Sequence, residues 1–281
     1  YEIHWRDWSS DVCSSDLAYY GNGTELPDEV YESCDINHVI EQMTSAMENI
    51  GSFYSYWEGN EWTALYFYGT SFVEMKQKID ISSWNRKEHF EFFCTFEEPF
   101  FGITTSIDMT IAYEKAKAMK IPFFVYYLHK TIAAINQVEN FRYRIEGNEV
   151  VLYDEIDASA TIMREDKTFG FSFMKFHSDI QDFAKIAQIE IERIQITPGL
   201  FTREFPENII HFSAVPWINF TGLTHSRKYT LKDSCPKVSY GKLVEENGKK
   251  SMALSVTVHH GLVDGYHIGL FIEALQTELN K

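Results

Sequence analysis

The sequence is poor in cysteine and proline, with four and seven in 281 residues, and no apolar run is long. Cys13, Cys34, Cys94 and Cys235 show neither C-x-x-C nor metal-ligand spacing, which speaks against a disulfide framework or a metal cage and leaves free thiols. The longest apolar stretch, around Pro122 to Leu128, is far too short to span a bilayer, and no stretch has the charged, apolar, small-residue order of a secretion signal. The expected setting is therefore the cytoplasm, without a membrane partner. The sequons at Asn22 and Asn219 then read as chance matches. No glycine-rich phosphate loop and no internal repeat is present.

Basic charge is also scarce where a polyanion would need it. The net charge is −16, but residues 1–74 hold 14 of the 41 acidic side chains and one basic one, Arg6, a net of −13 that leaves −3 for the rest. A nearly balanced body with an acidic appendage offers no stripe for neutralising phosphates, so no nucleic-acid partner is expected. The main discontinuity falls at Glu74 and Met75, where a lysine-free segment gives way to a lysine-containing one. Residues 1–17 have no apolar periodicity, repeat Ser-Ser-Asp, and read as a non-native, adapter-like segment. Residues 18–74 read as an acidic extension, with a helix over 36–50 after Asp35 and a strand from Trp62 to Tyr68.

What is present, from Met75 on, is alternation of helix and strand. Helices are expected over Lys87–Phe93, Thr110–Met119, from Pro122 in the first turn to Val138, from a Ser178 cap to Ile194, and over Tyr266–Leu279. Strands are expected over Phe101–Ile107, Phe141–Ile145, Glu149–Tyr153, Thr168–Phe176, Ile209–Ala214, Val238–Val244 and Ser251–His259. The fold class that follows is mixed α/β: a mixed β-sheet with packed helices.

The densest chemical signal is His259-His260-Gly261-Leu262-Val263-Asp264-Gly265, where an apolar strand stops and a helix begins. Neutral imidazole suits removal of a proton from an attacking hydroxyl. Adjacent strand residues face opposite sides, so one histidine of the pair enters a cleft and the pattern does not say which. Gly265 suits a tight turn, and an acidic side chain at a helix start is favoured by the helix dipole. His89, His129, His177 and His225 form no metal-ligand pattern, and no metal is expected.

Four separated segments carry a resemblance. Asp80-Ile81-Ser82-Ser83-Trp84-Asn85-Arg86-Lys87-Glu88-His89-Phe90-Glu91, Phe141-Arg142-Tyr143-Arg144 with Val150 to Ile156, Ser213-Ala214-Val215-Pro216-Trp217, and His259 to His267 together resemble the chloramphenicol acetyltransferases over residues 75–281. The resemblance implies a CoA-dependent acyltransferase fold and transfer of acetyl from acetyl-CoA to a hydroxyl of chloramphenicol. It makes His260 the general base, Ser213 the oxyanion donor, and Asp264 a structural partner of Arg86. It places Phe92, Phe93 and Phe169 in an aromatic acceptor pocket beside Trp217, and Ser239 where the family has a water-holding Thr. It also implies a homotrimer with sites between subunits.

Two departures stand out. His211 replaces the usual Asn two residues before the oxyanion serine, and Phe171 replaces a small pocket residue. They keep open another small alcohol as acceptor, or an inactive ligand-binding relative. The acyltransferase core of 2-oxo acid dehydrogenase complexes shares the terminal signature, but it requires a lipoyl lysine and residues 1–74 contain no Lys.

Overall fold

The computed structural model describes residues 76–228 and 233–281, together with the backbone of the strands Tyr19–Tyr20, Thr24–Glu25, Gly51–Glu58 and Glu61–Tyr68. Packing divides the chain into Tyr1–Glu74 and Met75–Lys281. In the first unit Gly51–Glu58 and Glu61–Tyr68 pair antiparallel. The helix expected over 36–50 lies outside the described residues.

The second unit is mixed α/β, as the alternation predicts. In chain order it contains β1 (Lys76–Lys78), α1 (Lys87–Phe93), β2 (Phe100–Asp108), α2 (Thr110–Met119), α3 (Phe123–Gln137), β3 (Tyr143–Glu146), β4 (Glu149–Tyr153), β5 (Asp157–Met163) and β6 (Phe169–Phe171). Then follow α4 (Ile180–Ile196), β7 (Ile209–Ala214), β8 (Lys237–Tyr240), β9 (Val244–Glu246), β10 (Lys249–His259) and α5 (Gly265–Asn280). A seven-stranded sheet runs β6-β5-β7-β8-β10, with β9 pairing the start of β10 and β2 flanking it on the other side. A small sheet, β1-β4-β3, stands apart from it.

Alternation along β7, β8 and β10 gives the large sheet two unlike faces. Phe212, Val238, Tyr240, Leu254, Val256 and Val258 are buried apolar residues of the main core. Tyr127 of α3 packs against Phe212 and Tyr240, and Thr131 shares a 2.8 Å hydrogen bond with the Tyr240 hydroxyl. The intervening residues put His211, Ser213, Lys237, Ser239, Ser255, Thr257 and His259 on the other face. Register lines up Ser213 with Ser239 and Ser239 with Ser255. A row of hydroxyls thus crosses three strands.

Several expected boundaries move for local reasons. Phe141 belongs to a 3₁₀ turn, Glu139–Arg142, and the strand begins at Tyr143. Pro122 is the N-cap of α3, one position earlier than expected. The cap of α4 is Asp179, not Ser178; its carboxylate accepts from the N–H of Gln181 and Asp182 at 2.8 and 3.1 Å. The strand expected over Thr168–Phe176 is regular over Phe169–Phe171 and bonds β5 in the same register as far as Met174, whose N–H donates to the Ala158 carbonyl at 2.8 Å, while the Phe173 N–H points outward to the Glu190 carboxylate at 2.8 Å. The strand expected over Val238–Val244 is broken at Gly241. There the chain turns to bond the segment after β7, with Lys242 N–H donating to the Ile218 carbonyl at 2.8 Å.

A Cβ at Gly241 would stand 3.0 Å from the Ile218 carbonyl oxygen and 3.1 Å from Ala253 Cβ. Gly241→Ala should therefore cost roughly 1–3 kcal/mol of stability by overpacking. Urea denaturation checks this, and an unchanged midpoint would show that the loop yields freely.

Candidate active site

The turn that ends β10 is held from a distant part of the chain. Arg86, at the N-cap of α1 and only 8% exposed, donates from Nη1 to Asp264 Oδ2 at 2.8 Å, from Nη2 to the His260 carbonyl at 3.3 Å, and from Nε to the Gly261 carbonyl at 3.5 Å. Asp264 is in turn the N-cap of α5, accepting from Tyr266 N–H at 3.0 Å, while its own N–H donates to His267 Nδ1 at 3.2 Å. Burial works against the Asp264 carboxylate, but the Arg86 hydrogen bond and the charges of His267 and Arg86 outweigh it and hold the pKa below the usual range. Gly265 has no left-handed backbone; it is the first residue of α5, and the turn expected of it is made by the residues before it.

The two histidines have different surroundings. His259 is buried edge-on to Phe100, and its Nδ1 accepts the Gly261 N–H at 3.1 Å. A Cβ at Gly261 would stand 3.1 Å from that imidazole, so a larger residue there would have to push the ring aside. His260 follows it. Its N–H donates to the Pro99 carbonyl at 2.8 Å, and its ring lies flat on Phe93 with centroids 3.9 Å apart and touches Phe101 at 4.3 Å. Its Nδ1 is buried without a partner among the described residues. That leaves Nε2 as the nitrogen available to a reacting molecule.

Ser213 Oγ lies 2.6 Å from Ser239 Oγ, and Ser239 Oγ lies 3.5 Å from His225 Nε2. The serine pair does not meet His260 in the same chain. Ser213 is level with Ser239 and Ser255, and Ser255 is five residues before His260 on β10, roughly 16 Å at the rise of a strand. The aromatic candidates divide the same way. Phe92 and Phe93 cluster with Phe96 beside His260. Phe169 and Phe171 sit on the edge strand β6, at the other end of the strand order, with Phe171 packed on Phe201 at 5.2 Å. Trp217, just beyond β7, is 64% exposed. Within one chain the candidate site residues thus fall into two separate groups.

Sequence reasoning missed Phe96, Phe101, Phe201 and His225. Phe101 was accessible in principle, because pairing of β2 with β10 sets it opposite Val258, two residues before His260.

Comparison with known proteins decides the relationship. The family model described as chloramphenicol acetyltransferase matches residues 75–276. The chain belongs to the chloramphenicol acetyltransferase family. It is 30% identical over 206 residues to chloramphenicol acetyltransferase 3 of Escherichia coli, covering 73% of this chain and 97% of that one. A solved chloramphenicol acetyltransferase superposes with a TM-score of 0.68 at 34% identity, over 73% of this chain and 100% of that one. A probable dihydrolipoamide acetyltransferase from Listeria monocytogenes, with a TM-score of 0.50 at 12% identity and coverage of 68% and 88%, shares the fold. As a member of this acyltransferase family the chain is an enzyme.

Around the family signature lies a buried polar cluster. Burial pushes both His211 and His259 down to about 4, helped by the charges of Lys237 and Arg227 respectively. Arg227 pairs with Glu98 and lies over the Phe100 ring at 3.6 Å. His211, Asp233 and Cys235 bring one ligand atom each within 4.8 Å of one another, a grouping that the sequence spacing does not show. The Asp233 carboxylate there is paired with Lys237 Nζ at 2.6 Å. Cys235 is a buried free thiol.

Two outcomes follow. Asp264→Asn keeps a capping side chain but removes the partner charge of Arg86, and should cost about 1–3 kcal/mol; Asp264→Ala should cost about 1 kcal/mol more by losing the cap. Chemical denaturation of both variants orders them. The second outcome concerns pH. His211 and His259 titrate near 6.5 when unfolded but at about 4 when folded, so between these values the unfolded chain binds more protons and stability falls as pH is lowered. Asp157, raised to about 6 by burial, acts the other way below pH 6, where one carboxyl opposes two histidines. Denaturation at pH 7 and pH 5 should show this loss, and it should shrink in His211→Asn.

Proposed function

We propose that the protein transfers the acetyl group of acetyl-CoA to a hydroxyl of chloramphenicol and so gives antibiotic resistance. The observation that carries the reading is the His260 imidazole at the end of the central strand, fixed between Phe93 and Phe101 with Nδ1 buried. Acetyl-CoA supplies the acetyl group as a thioester. His260 Nε2 removes the proton of the acceptor hydroxyl as its oxygen attacks the thioester carbonyl. Ser213 donates a hydrogen bond from its hydroxyl to the oxyanion that forms, keeping its proton. Collapse breaks the carbon–sulfur bond, and His260 returns the proton to the departing thiolate. Arg86 and Asp264 keep the His260 turn rigid and move no proton.

Assembly as a homotrimer completes this site. The roughly 16 Å between the levels of Ser213 and His260 supports a reaction centre shared between two subunits, one giving His260, Phe92 and Phe93, its neighbour giving Ser213, Ser239, Phe169 and Phe171. No helix among the described residues is long and apolar enough to cross a membrane.

Phe171 favours a second reading, a related small alcohol as acceptor. Its ring, packed on Phe169 and Phe201, fills space that a small residue would leave to the ligand.

Thiol release from acetyl-CoA in the presence of chloramphenicol tests the assignment. Wild-type protein should turn over, and His260→Ala should lose roughly 100-fold or more in kcat. A folded wild type that releases no thiol with chloramphenicol, but does with another alcohol, would transfer the assignment to the second reading.

A further inference from the structure

The polar face of the large sheet contains an ordered series that the reaction above does not use in full. Ser213 and Ser239 stand side by side on the parallel strands β7 and β8 with their hydroxyl oxygens 2.6 Å apart. His225, from the segment after Trp217, brings Nε2 to 3.5 Å from Ser239 Oγ. Ser239 is wholly buried, as is Ser255 beyond it, whose hydroxyl has no partner among the described residues.

Two facing hydroxyls can bond in either direction. If Ser213 donates to Ser239, its only proton is engaged and it cannot meet an oxyanion. If Ser239 donates to Ser213, the Ser213 proton stays free for the substrate. Nothing in the serine pair itself selects between these orders, because each hydroxyl carries one proton and rotates. A third group on the far side of Ser239 does select. An imidazole N–H donating to Ser239 Oγ drives the Ser239 proton toward Ser213, and hydrogen bonds in such a chain strengthen one another in a water-poor setting.

We propose that His225 is a positioning residue for the oxyanion donor: its Nε2–H donates to Ser239, Ser239 donates to Ser213, and the Ser213 hydroxyl is left pointing its proton at the substrate. This rests on the reading of Ser213 as the oxyanion donor. Burial, with the charge of Lys237, lowers the His225 pKa and favours a neutral ring with a single N–H. The chain requires that this hydrogen be on Nε2. His225 touches neither the base nor the reacting atoms in this scheme, and its effect passes through two hydroxyls.

The test uses the full chain and two measurements. Nitrogen-15 NMR of the histidine rings at neutral pH should show His225 protonated on Nε2. In steady-state assays His225→Leu should lower kcat roughly fivefold to twentyfold with KM for acetyl-CoA and chloramphenicol within about twofold, and His225→Gln, whose amide can donate, should recover most of the loss. In a Ser213→Ala background His225→Leu should cause no further fall. A ring protonated on Nδ1 with Nε2 accepting overturns the proposal, as does an equal fall in both backgrounds. If Ser213→Ala itself leaves kcat unchanged, the oxyanion reading fails and takes the proposal with it. The tautomer is read without turnover, so absence of acetyl transfer to chloramphenicol leaves that measurement to decide the hydrogen-bond order.

Discussion

The Arg86 guanidinium is the constraint on which the rest of the site depends. One buried side chain bonds the Asp264 carboxylate and the carbonyls of His260 and Gly261, tying the start of α1 to the end of β10 and the start of α5. The planar, fork-shaped donor array of arginine reaches all three acceptors together, which a lysine ammonium on its flexible stem could not reproduce. Asp264 serves two masters, the guanidinium and the helix cap, so its charge is compensated from both sides. The same turn is also anchored by the His260 N–H bond to Pro99, by the Asn140 amide donating to the Leu262 carbonyl at 2.9 Å, and by burial of Leu262 and Val263 in the core.

The second organising feature is the two-faced sheet. Its apolar side packs on helices, and the two together form the hydrophobic core, at the ordinary rate of about 25 cal/mol per Å² of apolar area buried. Its polar side is nearly as dry but carries histidines, serines, a lysine and an aspartate. Drying this face has a cost in stability, visible in the lowered pKa of His211 and His259. It also raises the worth of each hydrogen-bond donor aimed into it, the condition under which an oxyanion donor is effective. His211 belongs to this pattern: two residues from Ser213 on the same strand, it adds a neutral ring beside the Asp233–Lys237 pair.

Much of this was legible in the primary structure. The alternation Lys237-Val238-Ser239-Tyr240 and Ser255-Val256-Thr257-Val258-His259 is a period-two pattern that any reader of strands recovers. The His-His-Gly-x-x-Asp-Gly segment marks the end of a strand and the start of a helix by local chemistry alone. Boundaries were less legible where a distant group intervened. Gly241 breaks a strand because the segment after β7 presses on it, and the outward-facing Phe173 N–H is taken by Glu190 of α4, a contact that strand periodicity does not reveal.

The sequence by itself therefore determined the class of fold, the family and the chemical types at the site, because these reside in contiguous periodicity and short motifs. Only the tertiary structure decided that Arg86 reaches the carbonyls of His260 and Gly261 as well as Asp264, which nitrogen of His260 is buried, and how far the level of Ser213 lies from His260. The physical reason is register. A strand's side chains are set by its neighbours' alignment, and the level of Ser213 against His260 is a property of three strands from separate parts of the chain, which no window of sequence contains.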